Sequence, residues 1–289
     1  MGAIMITLDE VTSKDGTTIT YHRLGDGPGL VLVHGVMQTG HSNIELARAL
    51  AAVFTCYVPD RRGRGRSGPY GPGYGLQREV EDLDALLDAT GAQHVVGVSS
   101  GAVVALRTAI ARPALRTVVA FEPPLDLGGT YPAGWVDRFD REMAAGRIPA
   151  ALVTGMLATR LGPSFFNVMP RAVLELLTAM MLKNQEKAAT GGEPTYRELA
   201  PSLHYDAQLV AETTADLDVY RSVEAEVLLL GGTKSPAHLK AVLTALEGVL
   251  PRTRRVDMAG LDHSATSNAA MRGKPEQVAA EIRRFITNP

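Results

Sequence analysis

The strongest constraint on the fold is an alternation of short, almost wholly apolar runs with segments of helical periodicity. Gly29-Leu30-Val31-Leu32-Val33-His34-Gly35 is apolar at successive positions, as in a strand buried on both faces of a parallel sheet. Phe54 to Pro59, His94 to Val98, Leu115 to Phe121, Glu226 to Leu230 and Arg254 to Met258 read as further strands. Between them, Ile44, Ala47, Leu50 and Ala51 share one helical face behind Ser42 or Asn43 as N-cap, and Val80, Leu83, Leu86 and Leu87 mark a helix ending at Gly91. Gly101, Ala102, Ala105 and Ala109 are small residues that let a helix over 100–112 lie close against a sheet until Arg112-Pro113 stops it. Later helices open at Ser235-Pro236, with Ser235 as N-cap, and at Pro275. At the start, Met5 to Val11 and Thr17 to His22 flank the turn Lys14-Asp15-Gly16 as a hairpin. The alternation predicts an α/β fold with a doubly wound, mostly parallel sheet.

The pattern breaks over 123–222, where helical segments follow one another without a strand. Trp135, Phe139 and Met143 recur every four residues. Val173, Leu174, Leu176, Leu177, Met180 and Met181 make a helix apolar on nearly every side, which predicts burial between two layers. The expected organisation is a core built from 1–122 and 223–289, with 123–222 inserted as an all-helical cap.

Composition bounds the function. The 289 residues are 45% hydrophobic, and 29 Lys+Arg against 31 Asp+Glu give a net charge of -2, which makes no electrostatic case for nucleic acid. The single Cys56 excludes an intramolecular disulfide and a multi-cysteine zinc site, and no HExxH, acidic cluster or Cys/His spacing points to a metal. Met1 to Ile6 carries neither a basic n-region nor a long apolar stretch, Ile6 stands where a myristoylation signal wants Ser or Thr, and no apolar run approaches the roughly 20 residues that span a bilayer. The expectation is a soluble, cytoplasmic chain without a membrane partner.

The sharpest chemical signal is Gly97-Val98-Ser99-Ser100-Gly101, a G-x-S-x-G between an expected strand and an expected helix. A nucleophile on such a turn projects above the sheet, the glycines on either side relieve crowding, and the helix N-terminus favours developing negative charge. A second glycine pattern, Gly63-Arg64-Gly65-Arg66-Ser67-Gly68, spells G-x-G-x-x-G but leads into Pro69-Tyr70-Gly71-Pro72, which offers no helix N-terminus to a pyrophosphate. No dinucleotide, and no other cofactor, is expected. Arg61, Arg62, Arg64 and Arg66 in that loop either pair internally or meet an anionic substrate, and internal pairing is the commoner fate of such arginines.

With these residues the chain resembles the α/β-hydrolase superfamily, in particular its serine-nucleophile members with a helical cap. The resemblance rests on His34-Gly35 after the third strand, Asp60 to Ser67 after the fourth, the turn at Ser99 and the late His263. It implies Ser99 as nucleophile, and His34-Gly35 as a loop whose next amide, that of Val36, joins the Ser100 amide in an oxyanion hole. It also implies His263, in Ala259-Gly260-Leu261-Asp262-His263-Ser264, as the base; His22, His41 and His94 come too early, and His204 and His238 fall in expected helices. Many relatives carry the acid three residues beyond a glycine after the penultimate strand, but here that place holds Ser235. Others draw it from the end of the strand after the nucleophile helix, where this chain has Glu122. Asp126, Asp216 and Asp262 stay open as alternative acids. Phe165, Phe166, Met169, Met180 and Met181 either line an apolar substrate pocket or pack the cap on the core.

The implied activity is hydrolysis of an ester, thioester or lactone of a small, moderately apolar molecule bound between cap and core, through an acyl enzyme and without cofactor. The same fold also hosts carbon–carbon bond cleavage, lyase and cyclase chemistry, as well as silent ligand-binding proteins. Nothing in the sequence settles the oligomeric state.

Overall fold

The computed structural model describes residues 5–162, 164–188, 194–213 and 217–288. Among these, an 8-stranded sheet runs in the order β1-β2-β4-β3-β5-β6-β7-β8. The expected hairpin forms from β1 (Ile6–Thr12) and β2 (Thr18–Leu24), and β2 lies antiparallel on β4 (Thr55–Pro59). The remaining pairings, through β3 (Gly29–Val33), β5 (His94–Val98), β6 (Thr117–Phe121), β7 (Glu226–Gly232) and β8 (Thr253–Met258), are all parallel.

The apolar strands are explained by two cores, one on each face of the sheet. Side chains alternate along a strand, so Leu30 and Leu32 of β3 pack with α1 (Ile44–Leu50) and α10 (Pro275–Thr287). Val31 and Val33 face the other way, onto α2 (Leu76–Thr90) and α3 (Ser100–Ala111), a face that α9 (Ala237–Glu247) also covers. A single-residue slip of any central strand would exchange these two sets, so the register is strongly specified. Cys56 lies in the core with Leu30 and Leu32, where burial pushes its thiol up to about 12 and leaves it unreactive near neutral pH.

Between β6 and β7 the described residues form α4 (Trp135–Ala144), α5 (Ile148–Thr159), α6 (Arg171–Ala188), α7 (Tyr196–Leu199) and α8 (Ser202–Ala211), with short 3-10 turns. Trp135, Phe139 and Met143 of α4 pack with Ala151, Leu203 and two core residues, Val36 and Met37.

Local expectations needed three corrections. Helix α6 is not sandwiched: Leu174 and Leu182 are buried, but Leu176 is 61% and Met180 54% exposed. Its apolar residues form two stripes, and among the described residues only the inner one meets a neighbouring layer. Ser235 does not cap α9: the helix begins one residue later behind Pro236, and Ser235 Oγ is buried without a hydrogen-bond partner. Asn43 holds the N-cap position of α1, but its side-chain amide donates to the Thr266 carbonyl, 3.0 Å away, and so ties the helix start to the loop after β8. Among the described residues no helix is long and apolar enough to cross a membrane.

Candidate active site

Ser99 stands where β5 turns into α3, with φ 52° and ψ −122°, a conformation that costs a residue with a side chain free energy. Its neighbours hold it there. The Ser99 N–H donates to the Phe121 carbonyl at 2.8 Å, and the chain can turn this tightly only because two flanking positions lack side chains. A Cβ on Gly97 would lie 2.5 Å from the Ala102 Cα, and one on Gly101 would lie 2.4 Å from the Val33 carbonyl oxygen. Any larger residue at either place would push α3 away from the sheet.

The parallel sheet brings two distant residues to this turn. Glu122 follows β6 with φ 46°, its N–H donates to the Leu230 carbonyl at 3.1 Å, and its side chain is wholly buried. One carboxylate oxygen accepts the Gly232 N–H at 2.7 Å, and the other is 2.6 Å from His263 Nδ1. His263 Nε2 is 3.2 Å from Ser99 Oγ. The loop carrying His263 is tied to the end of β7, where the Lys234 N–H donates to the Leu261 carbonyl at 2.9 Å. Three residues separated by up to 164 positions thus form one hydrogen-bonded chain.

The other acids lie elsewhere in their local structure. Asp126 accepts the backbone N–H groups of Gly128 and Thr130, and Asp262 accepts from Ser264, each closing its own turn. Asp216 lies outside the described residues.

The Gly35–Val36 peptide is oriented from behind. Its carbonyl is 3.0 Å from His34 Nδ1 and accepts from Arg64 at 3.0 Å, while the Gly35 N–H donates to the Gln38 side chain at 2.9 Å. In a trans peptide the carbonyl and the following N–H point in opposite directions. Tying the Gly35 carbonyl down therefore aims the Val36 N–H away from the arginine. Ser100 is the first residue of α3, so its N–H has no intrahelical acceptor. Val36, Ser99, Ser100 and His263 line one cavity.

His34 is structural in this geometry. Its Nε2 accepts the Arg61 N–H at 3.1 Å, which leaves the proton on Nδ1 for the Gly35 carbonyl. Burial first, then the cations of Arg64 and Arg61, hold its pKa well below the ordinary imidazole value. Because the folded pKa is depressed, the stability contribution is complete above the unfolded pKa of about 6.5 and is lost as pH falls below it, at up to about 1.4 kcal/mol per pH unit. The acid-side loss of stability between pH 7 and pH 5, followed by urea unfolding, is expected to be shallower in His34→Gln than in wild type. An unchanged slope would place the titration elsewhere.

Three of the four loop arginines, Arg61, Arg62 and Arg64, pair internally. Arg62 is wholly buried and held by Asp82 at 2.7 and 2.6 Å and by Asp15 at 2.9 Å, and Arg61 is held by Glu79 at 3.0 and 2.9 Å. Arg61 and Arg64 also converge on Asp206 of α8. Burial opposes ionisation of Asp206, but the two guanidinium groups outweigh it and keep the carboxyl below its usual range. The sequence reading missed Asp206, although a signal was present. It sits between Leu203 and Val210 at helical spacing, so an inward face carries one carboxylate that must find cations.

The cavity measures about 850 Å³ and runs between the strand ends and the helices α4 to α8. Trp135, Leu152, Met156, Phe166 and Leu177 give it an apolar wall. Of the aromatic and methionine residues noted in the sequence, Phe166 and Met181 reach it, whereas Phe165 and Met180 are more than half exposed.

A doubly wound sheet carrying a strained serine at the strand-to-helix turn, with a histidine and an acid from later strand ends, defines the α/β-hydrolase class. The chain belongs to that class: residues 30–281 match the model of the alpha/beta hydrolase family. An alpha/beta hydrolase from Sphaerobacter thermophilus DSM 20745 is 30% identical, with a TM-score of 0.77 over 96% of this chain and 100% of that one. The Magnesium-chelatase 30 kDa subunit of Rhodobacter capsulatus is 34% identical over 148 residues, and the N-formylmaleamate deformylase of Pseudomonas putida 35% over 129. Those two alignments take in 48% and 42% of this chain, and the chain spans about half the length of each of these curated relatives, 48% in both cases.

Proposed function

We propose that this protein is a cofactor-independent serine hydrolase that cleaves an ester, thioester or lactone of a small, largely apolar molecule held between the helical cap and the sheet. The observation that carries the reading is the chain Glu122, His263, Ser99, whose distances of 2.6 and 3.2 Å are hydrogen-bonding distances throughout.

Glu122 accepts a hydrogen bond from the His263 Nδ1–H, which leaves the Nε2 lone pair facing Ser99 Oγ. As Oγ attacks the substrate carbonyl carbon, its proton passes to Nε2, and the carbonyl π electrons move onto oxygen. The Val36 and Ser100 amides receive that oxyanion; they need no reorganisation, since the Gly35 carbonyl and the helix start already fix them. Collapse breaks the bond to the leaving group, which takes the proton from Nε2. Water then attacks the acyl carbon, giving its proton to His263; collapse breaks the bond to Oγ, which takes the proton back from Nε2, and the acid leaves. The buried Glu122 carboxylate stabilises the imidazolium formed in each half of the cycle.

A fluorophosphonate tests the reading. Wild-type protein is expected to gain one adduct by intact mass, and peptide mapping should place it on Ser99. Well-folded protein that stays unlabelled, or that carries the adduct on another residue, would remove this mechanism.

A further inference from the structure

Asp206 is 3% exposed and nonetheless forms part of the cavity wall, one residue away from the nucleophile through its bond to Ser100. One of its oxygens accepts from Arg61 at 3.0 Å and from the Ser100 hydroxyl at 2.8 Å, and the other accepts from Arg64 at 2.5 Å. The remaining donors of the two arginines are directed elsewhere. Glu79 takes the far edge of Arg61, and the Gly35 carbonyl takes the second terminal nitrogen of Arg64. Two guanidinium groups thus meet two carboxylates, and the cluster carries no net charge only while Asp206 is in place.

The rest of the wall offers an anion no lysine or arginine among the described residues. Among the described residues that line the cavity there are three carboxylates, Asp126, Asp137 and Asp206. The guanidinium groups of Arg61 and Arg64 stand behind Asp206, which accepts from both.

The geometry points to Asp206 as a specificity-determining residue that plugs a carboxylate-binding site in the cavity wall with the protein's own carboxylate, so that neutral substrates are accepted and substrates bearing a free carboxylate are refused. An anionic group entering the cavity meets Asp206 and finds no lysine or arginine among the described lining residues to offset its lost hydration. Removing the Asp206 carboxylate leaves one buried positive charge unbalanced beside Ser100. A small monocarboxylate then has both a place and a counter-charge there. The selectivity rests on the hydrolase reading above, whereas the carboxylate site does not.

Two measurements on the full chain separate the two. The first compares kcat/KM for 4-nitrophenyl butyrate and for 4-nitrophenyl hemisuccinate, esters of similar length that differ by one negative charge. Wild type is expected to prefer the neutral ester by on the order of 100-fold, and Asp206→Ala and Asp206→Asn to shift that ratio toward the anionic ester by at least ~10-fold. The second follows thermal unfolding in acetate against chloride at equal ionic strength. Acetate should raise the midpoint of Asp206→Ala and leave wild type unmoved, a readout that needs no turnover. The inference is overturned if wild type hydrolyses the hemisuccinate as readily as the butyrate. It is equally overturned if Asp206→Ala loses both substrates in the same proportion and ignores acetate. Should Asp206→Ala not fold, Asp206→Asn, which keeps an acceptor for Ser100 and Arg61 but not the charge, carries the kinetic comparison, Asp206→Ser, which leaves the carboxylate's place open, carries the acetate measurement, and the wild-type preference stands as a test by itself. Failure of both esters in wild type would count against the hydrolase reading, and the acetate response would still decide the site.

Discussion

Replacing Ser99 with alanine is expected to reduce ester turnover by roughly a millionfold, to the level left by binding and the oxyanion donors alone. In the proposed mechanism the lost oxygen is the atom that forms the bond to the acyl carbon, and no neighbouring group is placed to replace it. Ser100 Oγ is the nearest hydroxyl in the chain, but it already donates to Asp206 at 2.8 Å and accepts from Arg61 at 2.9 Å. The fold should not suffer. Ser99 sits on a turn held by the Phe121 carbonyl and by the close approach of Gly97 and Gly101, none of which uses the hydroxyl. Steady-state rates, fluorophosphonate labelling and thermal unfolding together check this. Turnover or labelling retained at a tenth of wild type would remove Ser99 from the mechanism, and a collapsed unfolding midpoint would show that the hydroxyl supports the turn.

The second large effect is expected for Glu122→Gln, a change of one atom that should lower kcat by about 10⁴-fold, or about 5.4 kcal/mol of transition-state stabilisation. Two bonds fix the direction of the amide. The Gly232 N–H requires an acceptor at 2.7 Å, so the glutamine oxygen turns toward Gly232 and its NH₂ group toward His263 Nδ1. A donor opposite Nδ1 forces the imidazole proton onto Nε2, and Nε2 then faces Ser99 Oγ as a donor instead of an acceptor. The base is lost although every atom stays near its place. KM should change far less than kcat, because Glu122 is wholly buried and does not line the cavity. A rate within tenfold of wild type would mean that another group orients His263.

Much of this site is legible along the chain because its parts are local. A strand, a turn with glycine on both sides and a helix of small residues can be read from 97 to 109 alone, since backbone sterics dictate them. The strand runs are equally legible: β3, β5 and β7 are apolar at successive positions because helices cover both faces of the sheet. Glu122 is reached through the family resemblance, which places the acid at that strand end in some members, and Ser235 is set aside because serine carries no charge. What the sequence left open was the choice among four acids; of those the structure describes, Glu122 is the one within hydrogen-bonding distance of His263.

The misreadings share a cause. Helix α6 reads as apolar all round, but a periodicity cannot say whether a second layer exists to cover the outer stripe, and for Leu176 and Met180 none does among the described residues. Ser235 has the composition of an N-cap, yet the path of the loop against Leu261 sets the helix start one residue later. Asp206 escaped notice because its partners, Arg61 and Arg64, lie 145 and 142 positions away.

By itself, then, the sequence determined the order and type of the elements, the strained serine turn and the residue types able to do the chemistry, because these follow from hydrophobic periodicity and backbone sterics within a few residues. Only the tertiary structure decided which carboxylate meets His263, how the Gly35–Val36 peptide is aimed, and that a carboxylate from α8 neutralises the arginines behind the cavity. Those outcomes depend on electrostatic and hydrogen-bond partners that become neighbours only when the sheet and the helices close over one another, and charge pairing has no period that can be read along a chain.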